Sequence, residues 1–145
     1  MQVIVDAPGF AVLHDPVLNW LQVVWRGPHA ATFIRHCCAE LLAQVARTRS
    51  TKILNDGLLD LDGWQQAVQW VRQESFPQLA AYGVVAIAWV LPQDIRAQTH
   101  VRETIARVTH PLMDTFRDVE SAYAWLRQVP DDKSTVSQSA LPRGH

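Results

Sequence analysis

The alternation of apolar and polar residues predicts most of this chain's elements. Gln2-Val3-Ile4-Val5 has the composition of an edge strand, but Ala7-Pro8-Gly9 interrupts it, so residues 1–9 read as an N-terminal arm. Phe10 to His14 is a short apolar run closed by Asp15-Pro16, a turn opener. Between Trp20 and Arg26, Leu21, Val23 and Trp25 fall on one face while Trp20 and Val24 fall on the other. These two runs predict an antiparallel hairpin whose second strand is covered on both sides.

Beyond Gly27-Pro28 the period changes from two to that of a helix. Phe33, Ile34, Cys37, Cys38, Leu41, Leu42 and Val45 recur on one face, with Arg35, His36, Glu40, Gln44 and Arg47 opposite, which predicts a helix to about Thr48. Pro28 suits its first turn. Lys52-Ile53-Leu54-Asn55 reads as a buried strand, followed by an acidic loop from Gly57 to Asp62. Asp62 with Gln65 forms a capping box for the next helix, whose inner stripe is Trp64, Ala67, Val68 and Val71. Ser75-Phe76-Pro77-Gln78 repeats that logic for a short helix ending at Gly83. Val84 to Val90 is apolar throughout, as a strand buried on both faces requires. A helix over Asp94 to Val108, a strand over Leu112 to Phe116 and a last helix capped by Asp118 complete the order. Pro130 stops that helix, and residues 130–145 form a polar tail without periodicity.

An N-terminal β-hairpin followed by alternating helices and strands predicts an α/β fold: a mixed, mostly parallel five-stranded sheet with helices on both faces. One domain, residues 10–129, carries it. Ile53 and Ile87 should then lie in neighbouring or near-neighbouring strands.

Composition excludes several functional classes. Of the 145 residues 48% are apolar and 19% charged, which is a globular balance, and the formal net charge is −1. Lys and Arg are spread along the chain, so no basic surface for nucleic acid or anionic membrane is predicted. The longest apolar run, Val84 to Leu91, is far below the roughly 20 residues that span a bilayer. The first ten residues lack the layout of a signal peptide. Cys37 and Cys38 are sequence neighbours, and a bridge between them would close almost no loop. A soluble protein of the reducing cytoplasm is the expectation.

Candidate chemistry is sparse. Asp56, Asp60 and Asp62 invite a calcium-loop reading, but aligning Asp60-Leu61-Asp62-Gly63 to that template puts Leu58 first and Gln69 last. Capping and turn formation account for these carboxylates, and no metal or cofactor is expected. His36 and Glu40 share a helix face without a second ligand-rich element, and the two thiols sit on an inner stripe where burial makes them inert. His14, His29, His100 and His110 are scattered, with neither a nucleophile elbow nor a glycine-rich phosphate loop to serve. Of six tryptophans, Trp25, Trp64 and Trp89 fall on core faces, whereas Trp20, Trp70 and Trp125 suit either an interface or partial cover by helices.

His14-Asp15-Pro16 before Asn19-Trp20-Leu21, then Trp25-Arg26-Gly27-Pro28, form the first part of a recognisable order. Lys52-Ile53-Leu54-Asn55-Asp56, Trp64 with Ala67 and Trp70, and Phe116-Arg117-Asp118 with Ala122-Tyr123-Ala124-Trp125-Leu126 continue it. In this order the chain resembles the small bacterial SpoIIAA-like proteins, the STAS/SEC14-type domains, over roughly Phe10 to Val129. The resemblance implies a compact β/α domain that binds protein partners, often under phosphorylation, or holds lipids. The switch serine of STAS domains stands at the start of the helix after the strand equivalent to Lys52–Asn55. Here that start is Asp62-Gly63-Trp64, which has no hydroxyl and only a fixed acidic charge.

In an open α/β sheet, ligands and partners collect beyond the carboxyl ends of strands. The expected function is therefore a non-catalytic STAS-like binding module that contacts a protein partner or a second copy. Its contact set is Asn55, Asp56, Asp60, Trp64 and Trp70. The alternatives are a carrier of a small apolar or lipid-like ligand, which needs an internal pocket of about 300 Å³ or more, and an enzyme pairing Asp56 with a histidine.

Overall fold

A computed structural model describes residues 1–61 and 64–131 of the chain, with Trp64 and Gln65 described by their backbone alone. The predicted cap at Asp62 and the tail over 132–145 lie outside the described residues. The sheet has six strands in sequential order: β1 (Gln2–Ala7), β2 (Phe10–Asp15), β3 (Trp20–Gly27), β4 (Lys52–Asp60), β5 (Ala86–Val90) and β6 (Leu112–Phe116). The first three are antiparallel and β3 through β6 are parallel. Ile53 pairs with Ile87, as expected.

The sixth strand comes from the segment read as an arm. Pro8 and Gly9 do not interrupt the strand but turn it: Ala7 pairs with Phe10 across them, and Gly9 takes φ 84, a value glycine reaches without a Cβ penalty. β4 also runs longer than its apolar core, through Asp60, so most of the predicted acidic loop is strand.

Helix α1 (Ala31–Thr48), the helical stretch α2 (residues 64–81) and helix α3 (Ile95–Ile105) make the three crossovers between parallel strands. Because the strands are added in one direction and such crossovers share one hand, all three helical elements fall on the same face. There Ile34, Cys37, Leu41, Val71, Leu79 and Val101 pack against Leu21, Val23, Ile53, Ile87 and Trp89. The opposite face is covered by the last helix, α4 (Val119–Gln128), whose Ala122 and Leu126 meet Trp20, Leu54, Ala86, Ala88 and Val90. β5, between β4 and the edge strand β6, is covered by helices on both faces and buried along its whole length, which is why its sequence does not alternate.

Asp94 and Asp118 cap α3 and α4, accepting from the amides of Ala97 at 2.8 Å and Ser121 at 2.7 Å. α2 departs from prediction. It is one continuous stretch, with a 3₁₀ turn at Trp64–Ala67, a π segment at Val71–Ser75 and an α end at Phe76–Ala81. Ser75 is helical and caps nothing. Pro77 has no N–H for the carbonyl one turn back, and the helix absorbs that loss as a wider turn.

Lys52 fastens the single helix of the second layer. Its ammonium is only 2% exposed, yet it donates to the carbonyls of Leu126, at 2.6 Å, and Val129. It also meets Asp131 at 3.3 Å and lies over the Trp20 ring. These carbonyls close the carboxyl end of α4, where unpaired oxygens and the helix dipole favour a cation. Lys52→Ala should therefore lower the unfolding free energy by about 3 kcal/mol, and Lys52→Met, which keeps the stem, by about 2 kcal/mol. Urea denaturation measures both.

Burial of the thiols sets a pH dependence. It lifts Cys37 to about 12, helped by the nearby Cys38 and Glu40, and lifts Cys38 to about 11 against a hydrogen bond with Ser75. Since both folded values lie above the ordinary 9.0, their contribution is complete below about pH 9 and is lost as the pH climbs toward 11 to 12. Iodoacetamide at pH 8 should leave both thiols unlabelled in the folded protein and label both in urea, as intact-mass measurement would show.

Candidate functional site

The carboxyl end of β4 is built by a bulge. β4 pairs with β5 only as far as Asp56 with Val90, and residues 57–60 run on beside β3 alone. Across β3, Val24 faces Asp56 but Arg26 faces Leu59, so Gly57 and Leu58 together stand against Trp25. One extra residue in a strand reverses which face every later side chain meets. Asp60 would otherwise share a face with Asp56. It turns instead toward the α1 layer.

There Asp60 meets His29. Nε2 of His29 lies 2.8 Å from Oδ1 of Asp60, with the two side chains 1% and 0% exposed. His29 follows Gly27-Pro28 at the carboxyl end of β3, so both partners emerge from neighbouring parallel strands at one end of the sheet. Phe33, one helical turn into α1, stacks on the imidazole at 5.4 Å, and the Trp25 ring stands edge-on at 5.3 Å. Trp25 in turn donates its indole N–H to Oδ1 of Asn55 at 2.6 Å. Gly57 makes the crossing possible: a Cβ there would stand 2.8 Å from the Val90 carbonyl oxygen.

Asn55 and Asp60, which the sequence suggests as contact residues, are interior groups, 7% and 1% exposed. They hold the strand end. Asp56 lies on the other face, half-buried, accepting from the Leu58 amide at 3.2 Å and from Gln22 at 3.5 Å. What this frame presents outward is apolar. Leu59 is 62% and Leu61 46% exposed, and Leu61 is anchored by its amide to the Gly27 carbonyl at 3.1 Å. Neither leucine stands out in sequence, because the bulge that turns Leu59 outward leaves no mark in the alternation.

The remaining candidates divide in the same way. Trp64 begins α2 beside this end, with its side chain outside the described residues. Trp70 is half-buried, packed against the core with the Arg35 guanidinium of α1 over its ring at 5.4 Å. Trp20 is core, and Trp125 packs on Phe116 and is half-buried. The described partners of Asp56 are Gln22 and Leu58, so the acid–base pair envisaged for an enzyme is not formed by it. His14 is bonded to Asn19 at 2.7 Å, and Asn19 closes the end of α1 through the Thr48 and Arg49 carbonyls. Among the described residues, no three His, Cys, Asp or Glu side chains converge as a metal site would require.

A void between α1, α2 and the sheet, bordered by Trp25, Asn55, Ser75 and Trp89, measures about 20 Å³. That is room for one water molecule. It is far below what an acyl chain needs.

The arrangement can do little chemistry. A buried histidine–carboxylate pair has the elements of a general base, but nothing outside the protein reaches either group. What it does is fix β4 to the entry of α1. No family model, curated protein or solved structure matches the chain. Among the described residues no helix is long and apolar enough to cross a membrane.

Breaking the pair isolates a buried polar group. His29→Ala should cost about 3 to 5 kcal/mol, and Asp60→Asn, which keeps the shape and an oxygen facing the imidazole, distinctly less. Chemical denaturation of the two variants against the parent protein measures the difference.

Proposed function

We propose that this chain is a non-catalytic STAS-like binding module that engages a protein partner through the projecting end of β4 and the start of α2. One observation carries the reading: a strand end held from within by Asn55 and the His29–Asp60 pair presents exposed leucines on a fixed backbone. Exposed apolar side chains on a pre-organised element bind at little ordering cost. Ile95, 79% exposed at the first turn of α3, extends the apolar character of this end of the sheet. Beyond Asp56 no β5 residue pairs with β4, so the strand offers a short free edge on that side as well.

Asp56 and Trp64 flank this surface, and Asp60 supports it from below. The buried reduced thiols fit a reducing compartment such as the cytoplasm. A lipid or other apolar cargo is the weaker reading, since the core void holds only a water-sized body.

The test is a quantitative capture assay with purified bait. The double variant Leu59→Lys with Leu61→Lys should lose its partner about thirtyfold, the scale of two central apolar anchors. Val17→Lys, at a 90% exposed position in the β2–β3 turn, should retain it. Equal retention by both variants would count against this surface.

A further inference from the structure

A second feature lies away from the β4 end and owes nothing to the binding reading above. Along α2, where Val68 and Pro77 form part of its floor, runs an open groove of about 840 Å³, closed on the far side by the loop between α3 and β6. Ligand sites of small molecules span roughly 300–1,000 Å³. The groove is the right size for one.

Its charge is one-sided. Arg72 lines it from α2, and Arg107 and His110 from the loop, while no carboxylate is among its described lining residues. Gln69, Gln73 and Thr109 add neutral hydrogen-bonding groups. In a chain of formal net charge −1 this is a local departure and not the reflection of a basic protein. Among the described residues neither Arg72 nor Arg107 makes an ion pair, whereas the buried cation Lys52 does. Two arginines lining one cavity suit the planar, bidentate recognition of a phosphoryl oxygen pair. Focused positive potential in a cleft concentrates such anions.

We propose that this groove binds a phosphate-bearing small molecule, with Arg72 and Arg107 holding the anionic group and the organic body lying along α2. The shared chemistry is a phosphate ester, from a soluble metabolite or from the headgroup of a lipid at a surface.

Isothermal titration with pyrophosphate and with adenosine monophosphate, at fixed ionic strength, tests the soluble source. Sedimentation with phosphatidylglycerol vesicles tests the headgroup. Saturable binding of any of these probes, with a dissociation constant at or below about 1 mM, is expected. Arg72→Ala and Arg107→Ala should each weaken it about tenfold, the worth of one charge-assisted hydrogen bond. Arg117→Ala, at the opposite end of β6, should leave it unchanged. Absence of saturable binding to every probe would overturn the proposal. So would an equal loss in Arg117→Ala, which would mark the effect as net charge. Circular dichroism confirms that each variant is folded.

Discussion

The buried contact between the His29 imidazole and the Asp60 carboxylate is the constraint on which the carboxyl end of this sheet depends. Neither residue is notable alone. The bulge opposite Trp25 brings them together by turning Asp60 through the sheet, and the rings of Trp25 and Phe33 then close around the imidazole. A polar pair so deeply buried is costly to form and more costly to break, so the strand end it holds has one position. Without it, residues 57–60, which pair with β3 but not with β5, would be an edge free to fray.

The rest of the molecule supplies the frame. Sequential addition of parallel strands places three crossover elements on one face and, among the described residues, leaves the other to α4. That asymmetry explains why a lysine is buried at the start of β4. The single helix of the second layer is secured at its carboxyl end by Lys52, whose donors take up carbonyls the helix leaves unpaired. Polar groups are spent here on position: Lys52 fixes α4, Asn19 closes α1, and His29 with Asp60 fixes β4.

The architecture was largely legible in the chain. Helical spacing from Phe33 to Val45, the unbroken apolar run into Val90 and the aspartates at 94 and 118 each report a local preference that the tertiary structure keeps. What was not legible is what two distant segments decide jointly. Pro8-Gly9 punctuates a strand equally well as an ending or as a hairpin turn, and only the pairing of Ala7 with Phe10 distinguishes them. The bulge arises between β3 and β4, so the alternation within either strand says nothing of it. Asp60 and Asn55 look like surface residues because polar side chains near a loop are usually exposed, and their partners His29 and Trp25 lie about thirty positions away in the chain. At this strand end the polar Asn55 and Asp60 are interior, and Leu59 and Leu61 are the exposed side chains.

The proposed binding surface therefore stands or falls with the rigidity of the β4 end. The amide of Leu61, bonded to the Gly27 carbonyl just past Asp60, reports that rigidity. Native-state hydrogen exchange of this amide, followed by NMR in the parent protein and in His29→Ala, is the most direct measurement. Protection approaching that of the Leu54 amide in the parent, and lost in the variant while Leu54 stays protected, is the expected result. Exchange at Leu61 as fast as in an open loop, or unaffected by removal of the imidazole, would contradict it.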